Sequence, residues 1–248
     1  MAGGDLGEGT RLAAATGAWI CFEDESGQAL QPPKARTWGR RGRTPVVKVS
    51  GRGSGRISVA GMACLKAGQP GRFFYRMQGH RLRPGTRRAM TEADYAGLIT
   101  AAHRYLNAPV IVIWDNLPTH LSRKMQAFTT THPDWLTVFQ LPAYAPDLNP
   151  VEGAWSVMKN SLGNLAPGTT DQLAAAMRHQ LDRIQRQHSL ITGFLGQTGL
   201  TLDPSHRRPW PFNLCSAHPQ GRGCGQGPPP ESCRALAAEV MVRGQAIR

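Results

Sequence analysis

Acidic residues are missing from a long segment of this 248-residue chain. Between residues 26 and 91 the sequence has no Asp or Glu, but it has fifteen Lys and Arg. The positive charge of that segment alone is larger than the net charge of +13 of the whole chain. Positive charge of one sign at this density favours a polyanionic partner, and nucleic acid is the usual one. The alternative is a solvated basic surface or a coding bias towards arginine, since 24 of the 29 basic residues are Arg.

Long apolar runs and paired cysteine motifs are also missing. No apolar run approaches the roughly 20 residues that a membrane-spanning helix needs, so no membrane partner is expected. The N-terminus carries Asp5 and Glu8 instead of the basic start of a signal peptide. The five cysteines include no CxxC pair, which argues against a zinc knuckle. This cysteine usage predicts a reducing, cytoplasmic location.

The chain divides by composition into three parts. Residues 1–17 are rich in Gly and Ala and are predicted to be a flexible N-terminal segment. Residues 18–200 hold the apolar segments expected of one folded domain. Residues 201–248 contain seven Pro and five Gly among arginines, and they are predicted to be a disordered tail.

Apolar patterning predicts an α/β fold. Strands are predicted at 18–22, 28–31, 46–49, 56–65, 73–77, 109–114 and 136–141, and helices at 91–106, 121–130 and 171–188. The fully apolar run at 109–114 is typical of the middle of a parallel sheet. A further helix is predicted to begin with Asn149 as its N-cap and Pro150 at its first position. Its apolar stripe consists of Val151, Ala154, Trp155, Met158, Leu162 and Leu165.

Three acids each follow a predicted strand. Asp24 follows the first strand, Asp115 follows the apolar run, and Glu152 begins the helix after 136–141. Sites in open α/β sheets gather at the carboxyl ends of strands, so these acids are expected to converge. Carboxylates without Cys or His ligands suit Mg²⁺ or Mn²⁺, and such a set can hold two ions roughly 4 Å apart for phosphoryl transfer. The plainer alternative is that Glu152 only completes a capping box with Asn149.

Four blocks of the sequence resemble a known family. They are WICFEDESG at 19–27, TWGRRGRTP at 37–45, VIVIWDNLPTH at 110–120 and LPAYAPDLNPVEGAWSVMK at 141–159. In this order they resemble the DDE transposases, specifically the bacterial insertion-sequence branch of the mariner-like superfamily. The resemblance implies a ribonuclease-H-like (retroviral-integrase-like) mixed sheet flanked by helices. It also implies Mg²⁺-dependent cleavage of double-stranded DNA at transposon ends and joining of the freed 3′ ends to target DNA, typically at TA, in the bacterial nucleoid.

The resemblance implies roles for individual residues. Asp24, Asp115 and Glu152 would be the catalytic acids and metal ligands, while Glu23 and Glu25 receive no role. The supporting residues are Asn116, His120, which would orient substrate or cap the next helix, and Asn149, which would build the turn that aims Glu152. The basic loop itself, and not the resemblance, makes Arg36, Trp38, Arg40, Arg41 and Arg43 the residues expected to contact the DNA backbone, although Trp38 could equally pack a hairpin. Lys159 either contacts a DNA phosphate or is solvated.

The sequence also departs from that family. Its members carry an N-terminal helix-turn-helix region, and no tandem copy fits into the first seventeen residues. The expectation is therefore the catalytic part of a split or frameshifted transposase, with a separate end-recognition polypeptide and a possible homodimer, or a truncated remnant. The alternatives are a ribonuclease-H-like nuclease that cuts without joining and a DNA-binding remnant without activity.

Overall fold

The computed structural model of the protein describes residues 6–31, 33, 38, 40–43, 46, 55–80, 90–142, 145–200 and 202. Within this part of the chain, the helices and strands follow in the order α1 (Leu6–Thr16), β1 (Trp19–Ala29), β2 (Arg56–Leu65), β3 (Arg72–His80), α2 (Glu92–Leu106), β4 (Val110–Trp114), α3 (Arg123–Thr130), β5 (Leu136–Gln140), α4 (Val151–Ser161), α5 (Thr170–Arg186) and α6 (His188–Thr198). A short 3₁₀ turn, Pro146–Leu148, precedes α4.

The strands form one mixed sheet in the order β3-β2-β1-β4-β5. β2 is antiparallel to both of its neighbours, whereas β4 is parallel to β1 and β5. Parallel neighbours need a crossover connection, and α3 supplies the one between β4 and β5. The mixed sheet flanked by helices that the sequence predicts is confirmed.

Two apolar clusters, one on each face of the sheet, hold the helices in place. On one face, side chains such as Phe22 and Ile113 pack with α1, α4, α5 and α6. On the other face, Cys21 and Val112 pack with α2 and α3. Successive side chains of a strand point to opposite faces, so neighbours in β1 reach different helical layers.

β1 is longer than the sequence predicts. The prediction of a strand over 18–22, a Ser-Gly turn and a new strand over 28–31 is wrong. The strand runs without a break to Ala29, and its second half pairs with β2 through Ser26↔Val59. The ladder to β2 satisfies the backbone of the acidic run and outweighs the turn preference of Ser and Gly.

The N-terminal segment contains a helix where a flexible segment is predicted. α1 occupies most of residues 1–17, and its residues Thr10 and Ala13 are buried. Gly17 adopts a left-handed φ of 67°, which suits a residue just after a helix C-terminus. The glycine-rich composition hides this helix because its stability comes from packing on the sheet and not from propensity.

α6 is also absent from the sequence prediction, which places one last helix over 171–188. That helix ends at Arg186, and α6 follows almost at once and buries Ile191 and Phe194. Two glycines within α6 lower its helix propensity and so obscure its amphipathic pattern. The predicted strands and helices at 56–65, 73–77, 91–106, 109–114, 121–130 and 136–141 are confirmed to within a few residues at their ends.

Some predictions fall outside the residues that the structure describes. The predicted strand at 46–49 does so except for Val46, which belongs to no strand. The tail at 201–248 does so except for Leu202, so its predicted disorder and the domain boundary at residue 200 stay predictions. Among the helices of the described residues, none combines the length and the hydropathy needed to cross a membrane.

Candidate active site

The acidic run in β1 is divided between the two faces of the sheet. Glu23 and Glu25 point towards α2 and α3, and Glu25 accepts a hydrogen bond from the Tyr95 hydroxyl. Asp24 points to the opposite face, where it meets Trp155 of α4. This follows from the two-residue period of a strand. The three adjacent acids therefore do not share one environment, and Asp24 alone faces α4.

Asp24 is held by the helix that carries Glu152. The Trp155 indole Nε1 donates a hydrogen bond to Asp24 Oδ2 across 2.7 Å. Trp155 lies over Gly61, which is the residue that pairs with Asp24 across the β1–β2 ladder. Burial and the charge of Glu152 raise the pKa of Asp24 to about 7, although the Trp155 hydrogen bond acts in the opposite direction. Asp24 is therefore close to its titration point at neutral pH.

Asp115 is the first residue after β4. Its Oδ1 accepts a hydrogen bond from the Leu117 backbone N–H at 3.0 Å and lies 3.0 Å from Nδ1 of His120. The hydrogen bond from His120 lowers the pKa of Asp115, and partial burial opposes this effect. Asp115 is therefore an ionised carboxylate at neutral pH.

Glu152 lies in the exposed first turn of α4. Asn149 caps this turn, because its Oδ1 accepts from Val151 N at 3.1 Å and its carbonyl accepts from Glu152 N at 3.1 Å. The helix is assigned from Val151, one residue later than predicted. The Asn149 backbone N–H donates to the Pro146 carbonyl, so the Glu152 carboxylate does not close a capping box with it. The Glu152 carboxylate is therefore not used in capping its own helix.

Asp24 interacts with both of the other acids near the point where the parallel pairing of β1 with β4 ends. The last register pair is Phe22↔Ile113, which brings Asp24 level with Asp115 two residues further on. Trp155 brings Glu152 to the same place, since the two residues are one helical turn apart. The charges of both Glu152 and Asp115 raise the pKa of Asp24, as carboxylates in one site do.

The donor set of these acids fits a hard divalent cation. Carboxylate oxygens are the ligands that Mg²⁺ and Mn²⁺ prefer, and a cation would relieve the repulsion that raises the pKa of Asp24. Each acid keeps at least one oxygen that no described residue hydrogen-bonds. In the described ranges, no group of three or more His, Cys, Asp or Glu is close enough together to form a ready-made metal site. The three acids thus offer suitable oxygen ligands, but the described residues do not form a complete metal-binding site.

His120 is buried between two carboxylates. Its Nε2 lies 3.1 Å from Glu23 Oε2, while its Nδ1 faces Asp115. Trp114 stacks on the imidazole with ring centroids 4.5 Å apart, and Tyr95 meets it edge-on at 4.7 Å. Burial disfavours the imidazolium, but the hydrogen bond to Asp115 and the Glu23 carboxylate beside Nε2 outweigh burial and raise the pKa of His120 to about 10.

The structure contradicts the helix-capping role predicted for His120, and it limits how His120 could orient substrate. The residue is only 3% exposed, so its ring cannot touch a DNA substrate. The cap of the next helix is Ser122, whose side chain accepts a hydrogen bond from Met125 N. His120 instead contacts Asp115 directly.

Asn116 supports the loop after β4. Its Nδ2 donates to the Leu141 carbonyl at 3.3 Å, and Leu141 N donates to the Trp114 carbonyl at 2.8 Å. These bonds fasten the end of β4 to the end of β5. The loop that carries Asp115 is therefore anchored to the ends of both β4 and β5.

The residues expected to bind DNA are only partly described. Arg36 lies outside the described residues, whereas Arg40, Arg41 and Arg43 are exposed around a turn closed by Arg43 N and the Arg40 carbonyl at 2.9 Å. Trp38, just before that turn, is 99% exposed. Lys159 is half-buried on α4, two turns after Glu152.

A groove of about 560 Å³ opens beside Glu152. The 3₁₀ turn, the first turn of α4 and the end of α6 line it, with Phe194 and Gln197 on the α6 side. Asp24 and Asp115 are not part of this lining, so the groove borders the three acids from the Glu152 side.

Sequence reasoning missed two contributors to this site. Glu23 gave no motif signal, although an acid at an inward-facing strand position is unusual enough to mark it. The apolar pattern predicts Trp155 only as part of a buried stripe of α4. Trp155 lies three residues after Glu152 and therefore on the same face of α4, which brings its indole N–H to Asp24.

A family model described as DDE superfamily endonuclease matches residues 19–174, a span that includes all three acids. The chain belongs to this family. It therefore carries a DDE superfamily endonuclease domain, and the resemblance to the DDE enzymes seen in the sequence is confirmed. The narrower assignment to the bacterial insertion-sequence branch stays a prediction. A comparison with curated proteins finds no match.

Solved structures of Mos1 mariner transposase have a similar fold. The paired end complex with Mg has a TM-score of 0.52 and 17% identity, covering 73% of this chain and 53% of the Mos1 chain. The paired end complex with Mn has a TM-score of 0.48 and 19% identity, covering 72% and 53%. The Mos1 catalytic domain has a TM-score of 0.40 and 16% identity, covering 72% and 81%. This chain thus spans about half of the Mos1 chains in the paired-end complexes, and the predicted ribonuclease-H-like fold is confirmed.

Proposed function

We propose that this chain is the catalytic part of a transposase, which cuts DNA at transposon ends and joins the freed 3′ ends to target DNA. One observation carries the proposal. Asp24 of β1, Asp115 after β4 and Glu152 of α4 come from distant parts of the sequence, and the charges of Asp115 and Glu152 both act on Asp24 in a DDE endonuclease domain. Three neighbouring carboxylates of this kind suit a metal-dependent phosphoryl-transfer site in chemical terms.

Asp24, Asp115 and Glu152 would hold the divalent cations, Mg²⁺ or Mn²⁺. Bound ions of this kind activate the attacking oxygen and stabilise the leaving oxygen of an in-line displacement at phosphorus. The protein's own contribution is positional. Trp155 fixes Asp24, the loop hydrogen bond from Leu117 fixes Asp115, and the Asn149 cap fixes the start of the helix that carries Glu152.

The DNA partner is proposed from charge and from the relatives. The Mos1 structures include a paired-end complex with the left transposon end. In this chain, the acid-free segment 26–91 carries the basic residues, and Arg40, Arg41 and Arg43 are exposed to receive phosphates. A TA target, a homodimer and a separate end-recognition polypeptide stay predictions from the family resemblance.

The experiment is a cleavage and joining assay with the purified chain. Labelled DNA that carries the flanking ends of its own element is incubated with Mn²⁺ or Mg²⁺ and a target plasmid. The variants are Asp115→Asn and Glu152→Gln. Asp134→Asn is the matched control, because this exposed acid lies just before β5, at the opposite end of the sheet from Asp115.

We expect metal-dependent nicking and joined products from the unmodified chain and from Asp134→Asn, and neither product from the two site variants. Nicking without joining would replace the proposal with a nuclease function. DNA binding by all four proteins without any cutting would replace it with an inactive remnant.

A further inference from the structure

Glu23 is a buried acid that neither the sequence motifs nor the proposed chemistry uses. It lies next to Asp24 but faces the other side of the sheet, and its side chain is 0% exposed. The geometry points to Glu23 as a positioning residue, which fixes Asp115 and Glu152 relative to Asp24. This inference rests on the proposed function, because the positions of the three acids matter only if they act together.

The side chain of Glu23 reaches Asp115 through His120. Glu23 Oε2 lies 3.1 Å from His120 Nε2, and the opposite ring nitrogen lies 3.0 Å from Asp115 Oδ1. Trp114 and Tyr95 confine the ring on its face and its edge. The Nδ1 contact is a hydrogen bond and the Nε2 contact is an ion pair, and rotation of the ring would give up both. Glu23 therefore fixes the orientation of the imidazole ring, and the ring in turn fixes the orientation of the Asp115 carboxylate.

The backbone of Glu23 reaches Glu152 through Asn149. The Asn149 side chain donates from Nδ2 to the Glu23 carbonyl at 3.0 Å, and its Oδ1 accepts from Val151 N. Asn149 is 4% exposed, so this link between β1 and the start of α4 is shielded from water. Residue 23 is thus connected to all three acids: by a peptide bond to Asp24, by its carbonyl to the Glu152 helix, and by its carboxylate to Asp115.

Glu23 is not placed to be a metal ligand itself. His120 stands between its carboxylate and Asp115, and the carboxylate points away from the face that Asp24 shares with α4. A buried ion pair contributes little net stability, because desolvation of both groups offsets their attraction. What such a pair does provide is one defined arrangement of its neighbours, here the arrangement of a proposed metal ligand.

The test is Mn²⁺ affinity, measured by isothermal titration calorimetry on the full chain without DNA. Glu23→Leu removes both the charge and the contact with His120. Glu23→Gln removes the charge only, since its amide can still pair with Nε2 while the Nδ1–H faces Asp115. His120→Leu and the double Glu23→Leu/His120→Leu variant complete a mutant cycle. Asp182→Asn is the control, because this carboxylate bonds Tyr75 on β3 and has no link to the site.

We expect Glu23→Leu to weaken Mn²⁺ binding roughly 10-fold or more, as changes to residues behind metal ligands do. Glu23→Gln should restore most of the affinity, and the double variant should be no weaker than the weaker single variant. Asp182→Asn should leave the affinity unchanged. Circular dichroism checks folding, and if Glu23→Leu does not fold, His120→Asn compared with His120→Leu tests the same path.

Two results overturn the inference and leave the proposed function intact. The first is unchanged Mn²⁺ affinity in Glu23→Leu while Asp115→Asn abolishes binding. The second is equal loss in Glu23→Gln and Glu23→Leu, which would assign Glu23 a purely electrostatic effect. Absence of Mn²⁺ binding by the unmodified chain would overturn both the inference and the metal-dependent function.

Discussion

Trp155 donates its indole N–H to the Asp24 carboxylate, and this single bond joins the first strand of the sheet to the helix that carries Glu152. The two residues are 131 positions apart in the sequence. Because Glu152 precedes Trp155 by one helical turn, the bond also limits how far the first and third acids can separate. Packing and proposed chemistry thus depend on the same side chain.

Trp155→Phe should therefore weaken the site more than it weakens the fold. The ring remains to fill the core, but Asp24 loses its hydrogen bond, whose effect is to lower the pKa of that carboxyl. We expect the metal-dependent cleavage rate to fall roughly 10- to 100-fold, in line with the about 1.5–3 kcal/mol typical of a hydrogen bond to a charged group. Single-turnover cleavage measures this rate.

The matched control for that variant is Trp135→Phe. Trp135 is half-buried just before β5, where it stacks on His103. It should lose stability without losing cleavage rate. Equal rate losses in both variants would show that Trp155 acts through general packing.

Gly61→Ala should disturb the hydrogen bond between Trp155 and Asp24, because Gly61 of β2 lies directly under the indole ring. A Cβ at Gly61 would lie 2.6 Å from Cη2 of Trp155, so the indole must move away from Asp24. We expect a stability loss of about 1–3 kcal/mol, as for other overpacked cores, together with slower cleavage. Chemical denaturation and the cleavage assay measure the two effects.

Gly79→Ala provides the comparison for that variant. Gly79 lies on β3 in the same antiparallel part of the sheet, and a Cβ there would meet nothing within 4 Å. It should leave cleavage unchanged. A cleavage defect of the same size in Gly79→Ala would mean that sheet glycines matter for another reason.

Asp24→Asn should stabilise the metal-free protein in a pH-dependent way. Burial and the charge of Glu152 raise the pKa of Asp24 from its ordinary 3.8 to about 7. The folded state therefore binds this proton more tightly than the unfolded state does, and stability falls as pH rises between those two values. Asn carries no charge and keeps an oxygen for Trp155. We expect a gain on the order of 1–3 kcal/mol at pH 8 that disappears near pH 4.

Thermal unfolding in EDTA across this pH range checks the prediction. Asp134→Asn, which removes an exposed carboxylate, should show no such pH-dependent gain. A loss of stability in Asp24→Asn at pH 8 would mean that the ionised carboxylate is favoured in the folded state, contrary to its raised pKa.

Loss of the exposed arginines around the β1–β2 connection should weaken DNA binding through charge alone. Replacing Arg40, Arg41 and Arg43 with Ala should reduce the slope of log affinity against log salt by about three, at roughly 0.9 per phosphate contact. Fluorescence anisotropy at several salt concentrations measures the slope. The charge-matched control replaces Arg104, Lys124 and Arg183, which are exposed on α2, α3 and α5. An equal reduction in the control would indicate diffuse attraction.

The sequence could predict the parts of the fold that local pattern determines. The apolar run of β4 and the capped start of α2 at Thr91 have clear signals in the chain. α1 and the second half of β1 could not be predicted, because both depend on partners far away in the sequence. The Ser26↔Val59 pairing overrides a local turn signal, and α1 is stabilised by the sheet beneath it.

The site shows the same division. The positions of Asp115 after β4 and of Glu152 after β5 could be read from the sequence, whereas Asp24, predicted to follow a strand, lies within β1. The family blocks named all three acids. The residues that hold these acids could not, because their contacts join distant segments. The sequence predicts that His120 orients substrate or caps a helix, but it does not predict that His120 is buried against Glu23, which precedes it by almost a hundred residues.

The most direct test of one shared metal centre is to map where a bound ion cuts the protein's own backbone. Fe²⁺ bound in place of Mg²⁺, with ascorbate and peroxide, releases hydroxyl radicals that cleave the chain near the ion. We expect cuts in three segments, around Asp24, between Asp115 and His120, and around Glu152, all lost together with excess Mg²⁺ and in Asp115→Asn. Cuts confined to one of these segments, or an unchanged pattern in Asp115→Asn, would contradict a centre built from all three acids.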